Sequence, residues 1–240
     1  MNKQKSVLKM AVLSMFIALG VVISPILRFE GMCPMAHFIN IVCSVFMGPW
    51  YSLLCAFLIG IIRMSIMGIP PIALTGAIFG AYLSGVFYRL SKGKLLFAVL
   101  GEIIGTGIIG AILSYPVMSI FWGKEGIGWL FYVPSFICGT LIGGSIAFVF
   151  LKKLSNSGMI SKIQALLSSN IYKDNSGYIS EAFSIAAFGV ICFMVIRILT
   201  GIFKMNSPIW SYLSIALLFV FLVWAVVYYL SKKVTKNESE

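Results

Sequence analysis

Uninterrupted apolar stretches about twenty residues long dominate this chain, and they fix its solvent. A helix needs about 20 apolar residues to cross the hydrocarbon core of a bilayer. Stretches of that kind run over about 8–27, 72–89, 95–120, 130–151, 180–203 and 209–231. Of the 240 residues, 60% are hydrophobic and only 10% charged. A soluble domain carries about 25% charged residues, so this composition cannot clothe a water-soluble surface. The start, "MNKQKSVLKMAVLSMFIALGVV", is basic and then apolar, and it runs on to Ser24-Pro25 without a small-residue cleavage site. A signal peptide has an apolar core of only about 7–15 residues, so this stretch reads as the first span.

The region from Pro34 to Met67 is either one long span or a hairpin broken at Gly48-Pro49. Gly-Pro is a strong turn signal, and charge decides between the two. Lys3, Lys5 and Lys9 put the N-terminus inside. With the hairpin, Arg89/Lys92/Lys94, Lys152/Lys153/Lys162/Lys173 and Lys232/Lys233/Lys236 all fall inside as well. Arg28, Arg63, Lys124, Arg197 and Lys204 remain on the other side. The positive-inside rule therefore favours the hairpin. Its cost is a short second helix over about 35–47, which reaches only about 20 Å. The expectation is an all-α polytopic membrane protein of eight spans with both termini cytoplasmic.

Three segments are expected: a six-span membrane domain over 1–154, a polar cytoplasmic linker over 155–179, and a transmembrane hairpin with a basic tail over 180–240. The linker holds a candidate amphipathic helix around Met159–Leu167, suited to the inner membrane surface. The net charge of +11 sits in loop clusters, the pattern of a membrane protein rather than of a nucleic-acid binder. Cys33, Cys43, Cys55, Cys138 and Cys192 are scattered, with no CxxC pair. They support neither a disulfide framework nor a zinc site, and no metal or cofactor is expected. There is no GxxxxGK[ST] phosphate loop, so the chain cannot hydrolyse ATP by that route, and neither HExxH nor GxSxG is present.

Polar residues inside the spans carry the functional signal. His37, Asn40 and Ser44 share one face of the short second helix at helical spacing, with Cys33 just before it. Arg63 ends the third span, where it either snorkels to the headgroups or lines an outward pocket. Glu102 stands in "LGEIIGTGIIGAILSYP", with Thr106 one turn further along the same face. An acidic side chain at a span centre costs about 2.5–3.5 kcal/mol on insertion scales. Such residues face the bundle interior and mark a ligand, a relay or a pathway; a lock to a neighbouring helix is the alternative reading. Tyr115, Trp122 and Trp129 are either interface-belt aromatics or a stack for a flat ligand. Small residues recur at four-residue spacing in Gly76/Gly80/Ser84, Gly101/Gly105, Gly139/Gly143 and Ser14/Ala18, which lets helix backbones approach closely.

The order "CPMAHFIN", "MGPWYSLLCAFLIGIIR", "LTGAIFGAYLSGVFYRL", "GEIIGTGIIGAILSYP" resembles the ThiW family over about residues 5–150. "GPWY" and "GEIIGTGIIGA" are its more specific parts. The family comprises substrate-binding (S) components of energy-coupling-factor (ECF) vitamin transporters, thought to handle the hydroxyethyl-thiazole precursor of thiamine. The resemblance implies a six-helix bundle in a bacterial-type plasma membrane, with a vitamin-precursor pocket near the outer face. It also implies a transmembrane coupling (T) protein and a pair of cytoplasmic ATPases as partners. Docking on the coupling protein would use the Ala-xxx-Ala-type pair on the first helix, here Ser14 and Ala18. His37, Asn40 and Glu102 become the candidate pocket lining, with Arg63, Thr106 and Tyr115 beside them. Two features depart from the family: the hairpin over about 180–231 has no counterpart, and Glu102 falls in the inner half of its span. Other readings are an S component for the pyrimidine precursor, thiamine or another vitamin, an intramembrane enzyme using Glu102 and His37, and a structural membrane adaptor.

Overall fold

The computed structural model describes residues 3–26, 33–167, 169–172, 177–202 and 207–237. Arg28, Lys173 and Lys204 lie outside the described residues. The described chain is helical, without a strand. Among the described residues, seven helices are long and apolar enough to cross a membrane, and one apolar helix is shorter. The chain divides into two compact units, Met1–Asp174 and Asn175–Glu240.

The first unit opens with α1 (Lys3–Ile26), α2 (Pro34–Met47), α3 (Pro49–Met67) and α4 (Ile72–Leu90). The next span changes its winding along its length: α5 (Leu95–Glu102), a π-helical segment (Ile103–Gly110), then α6 (Ala111–Trp122). α7 (Val133–Asn156) and the short α8 (Met159–Leu166) complete the unit.

Between α2 and α3 the chain turns on one residue. Gly48 takes φ +91°, a conformation that side-chain-bearing residues rarely adopt. Pro49 starts α3 at the position where its missing N–H costs nothing. The Arg89 guanidinium occupies the space a Gly48 Cβ would need, so the hairpin packs against the end of α4.

Short α2 is the hub of the unit. Twelve of its 14 residues are buried, so neighbouring helices shelter the length it lacks. The other helices bury one stripe each. In α1, Leu13, Phe16 and Ser24 turn inward while Met15, Leu19 and Val22 are exposed, as expected of a helix with one face on lipid. α4 and the Glu102 span meet backbone to backbone. A Cβ on Gly105 would lie 2.6 Å from the Gly80 Cα, and one on Gly101 would lie 2.5 Å from the Leu83 carbonyl oxygen.

α8 falls within the stretch expected as linker, and it is anchored to the bundle. Its Gln164 is fully buried. The amide donates to the Val45 carbonyl at 2.8 Å and to the Tyr88 hydroxyl at 3.1 Å, and accepts from the Tyr172 N–H at 3.3 Å.

The second unit is an antiparallel pair, α9 (Tyr178–Ile202) and α10 (Pro208–Asn237). Tyr228, late in α10, donates to Glu181, early in α9. Arg197, late in α9, donates to Ser211, early in α10, at 3.1 Å. Between them Phe188 packs edge-on against Phe221 with centroids 5.7 Å apart.

Candidate functional site: a cavity backed by a buried His–Glu pair

At one end of the first unit, the starts of α2, α4 and α7 and the end of α3 surround a cavity. Its enclosed part holds about 90 Å³, and it widens through an open mouth. Its apolar walls include Ile69, Ile72 and Phe136, and its polar ones His37, Arg63 and Ser135. Gly76 makes room for the Phe136 ring, since a Cβ there would lie 2.7 Å from it.

His37 connects the cavity to a polar cluster one layer deeper. Its Nδ1 lies 2.9 Å from Glu102 Oε1. The same oxygen accepts from Asn40 Nδ2 at 3.1 Å and from Thr106 Oγ1 at 3.2 Å. Asn40 also donates to the Ala77 carbonyl at 3.3 Å. Glu102 and Thr106 are 0% exposed, and Glu102 Oε2 has no hydrogen-bond partner. Helical periodicity brings the donors together: His37 and Asn40 are three apart on α2, and Thr106 is four beyond Glu102. Gly80 provides the room, because a Cβ there would collide with Thr106 Oγ1 and approach Glu102 Oε2 to 2.7 Å. With Nδ1 held by the carboxylate, Nε2 is the ring nitrogen left for the cavity, and the ring's orientation is fixed.

The short α2 also resolves the depth of Glu102. Glu102 stands seven residues into its span, about 10 Å from Leu95. His37 stands ten residues before Met47, about 15 Å from the other end of α2. Because α2 is only 14 residues long, its first turn lies deep in the bundle, and His37 there bridges the cavity and the carboxyl group behind it.

Arg63 is 5% exposed and lines the cavity. Its Nη2 lies 3.7 Å from Cys33 Sγ, and its Nε is buried without a partner. Of the six candidate residues, His37 and Arg63 form the wall, while Asn40, Glu102 and Thr106 stand behind it. Tyr115 does not line the cavity; its ring packs against Trp129 with centroids 4.7 Å apart. Sequence reasoning did not single out Ser135 or Phe136. Ser14 and Ala18 sit elsewhere, exposed on α1 in a shallow groove shared with Val21 and Ile62. No metal-holding group of three or more His, Cys, Asp or Glu occurs among the described residues.

Seven membrane-length helices among the described residues, with a cavity at one end of the first unit, define a multi-pass membrane protein. The comparison with known families sharpens this. The family model described as thiamine-precursor transporter protein (ThiW) matches residues 10–157, well over half of the chain. The chain belongs to that family, and it is a multi-pass transport protein of the plasma membrane. No curated protein and no solved structure matches it.

Proposed function

We propose that this protein is the substrate-capture subunit of an ECF-type importer for the hydroxyethyl-thiazole precursor of thiamine. The observation that carries the reading is the cavity itself: a mainly apolar pocket at one end of a ThiW-family bundle, with His37 oriented by Glu102 toward its interior. A flat heterocycle with a hydroxyl group suits the Phe136 and Ile72 walls and a few fixed polar groups.

The membrane orientation is part of the proposal. Counting α2 with the seven longer helices gives eight spans. The Arg89, Lys92 and Lys94 cluster and Lys152 and Lys153 then face the cytoplasm with both termini. The cavity mouth, at the opposite end of α4 and α7 from these residues, opens to the outside. Energy would come from a T protein and two ATPases, with the T protein docking at the exposed Ser14 and Ala18. Backbones approach closely over such small residues.

The test is a titration of the detergent-purified chain with hydroxyethyl-thiazole, using thiamine and its pyrimidine precursor as competitors. Selective submicromolar thiazole binding is expected. Preference for thiamine or the pyrimidine would keep the class and change the ligand. A chemical turnover abolished by replacing His37 and Glu102 would overturn the transport reading in favour of an intramembrane enzyme.

A further inference from the structure

Arg63 presents a problem that the neutral thiazole alcohol does not solve. A guanidinium is always charged and offers five donors. Burying such a charge without a counter-charge is strongly unfavourable. Arg63 is 5% exposed, its Nε has no partner, and its Nη2 reaches only a cysteine sulfur at 3.7 Å. No carboxylate pairs with it among the described residues. Glu102 is engaged by His37, Asn40 and Thr106 and does not line the cavity. Arg63 does line it, and so does His37, another nitrogen donor or acceptor.

We infer that the cavity takes a ligand bearing an oxyanion, a phosphate monoester or a carboxylate on a small ring, and that Arg63 supplies its counter-charge. The inference rests on the transport reading above and specifies its substrate class. The geometry divides the ligand in two. The ring lies against Ile69, Ile72 and Phe136, and the oxyanion meets Arg63 at the end of α3. The planar guanidinium suits two parallel N–H···O bonds to such a group.

A lipid headgroup phosphate offers the same chemistry, and the experiment separates the two sources. The wild-type chain in maltoside micelles is titrated with hydroxyethyl-thiazole, its phosphate monoester and the matching thiazole carboxylate. At least one anionic form is expected to bind about tenfold or more tighter than the alcohol. Arg63→Gln is expected to abolish that preference, and Arg63→Lys to keep part of it. The wild-type comparison needs no variant, so it stands even if Arg63→Gln fails to fold. Equal affinity for all three ligands overturns the inference and leaves the thiazole reading intact. A preference that survives in a folded Arg63→Gln protein overturns the role of Arg63. Binding of none of the three overturns both readings. Displacement of the phosphate ester by an equal concentration of short-chain phosphatidylglycerol assigns the anion to a headgroup and overturns the small-molecule inference.

Discussion

Glu102 holds His37 through Nδ1 across 2.9 Å, and the two residues stand 65 positions apart in the chain. The carboxylate is therefore at once a tie between α5 and α2 and the group that fixes the ring on the cavity wall. Replacing Glu102 by Gln keeps the shape and exchanges the carboxyl group for an amide. Ligand affinity is expected to fall by about 1–3 kcal/mol, read by titration. In a double-mutant cycle with His37→Ala, the pair is expected to show a coupling of about 0.5–3 kcal/mol. Unchanged affinity with a lower melting temperature would reduce Glu102 to a helix lock.

Gly80 is the seat of this cluster. Gly80→Ala drives a methyl group into Thr106 Oγ1 and Glu102 Oε2. Overpacking of this kind costs about 1–3 kcal/mol, so a lower melting temperature and weaker binding are both expected. Gly128→Ala is the control, because nothing lies within 4 Å of its new Cβ. It is expected to change stability by no more than about 0.5 kcal/mol. Equal melting temperatures for the two variants would refute the tight seat.

The exposed pair on α1 separates binding from coupling. Ser14→Leu combined with Ala18→Leu fills the shallow groove without touching the cavity. Thiazole affinity of the purified chain is expected to stay at the wild-type value, while co-purification with a coupling protein and its ATPases is lost. Retained co-purification would move the docking face elsewhere.

The second unit forms a compact helix pair of its own. A chain ending after Asp174 is expected to be stable in detergent and to bind ligand as the full chain does. Loss of binding by a well-folded truncated chain would make α9 and α10 part of the substrate machinery.

Gln164 fixes α8 with three hydrogen bonds. Gln164→Ala leaves the Tyr88 hydroxyl and the Val45 carbonyl without that partner in a buried site. A loss of about 1–3 kcal/mol is expected, read as a lower melting temperature and faster protease cleavage around residues 155–172. Wild-type stability would show that α8 is held by its apolar face alone.

Much of the site was legible because it follows helical periodicity. His37 and Asn40 fall on one face of a short helix, and Glu102 and Thr106 fall on one face of another. Their partnership was not legible, because no local rule says which neighbour a buried carboxylate will meet. The hairpin at Gly48 was legible from Gly-Pro and from the charge pattern. The π-helical winding of Ile103–Gly110 was not, since an all-apolar, glycine-rich run carries no contrast between faces. Gln164 looked like one polar residue in a polar stretch, and its partner Val45 lies 119 positions away. Arg63 lies in a cavity that residues of α2, α4 and α7 complete, and its position at the end of a span left two environments open.

The π-helical segment has a consequence for the phase of the span that contains it. A wider turn absorbs about one residue more than an α-turn does, and each residue of an α-helix is worth about 100° of rotation. Glu102 before the segment faces His37 and Asn40, and Ser114 after it meets the Thr75 hydroxyl at 2.7 Å. Both contacts hold together only because the segment sets the angle between the two halves. Closing the winding of Ile103–Gly110 to a regular α-helix with every residue kept would turn one half against the other by about 100°, although every contacting side chain were still present. The winding of this span is thus as much a specification as its residues, and a residue added within its bland apolar run, which shifts the phase by about 100°, is expected to do more harm than many substitutions there.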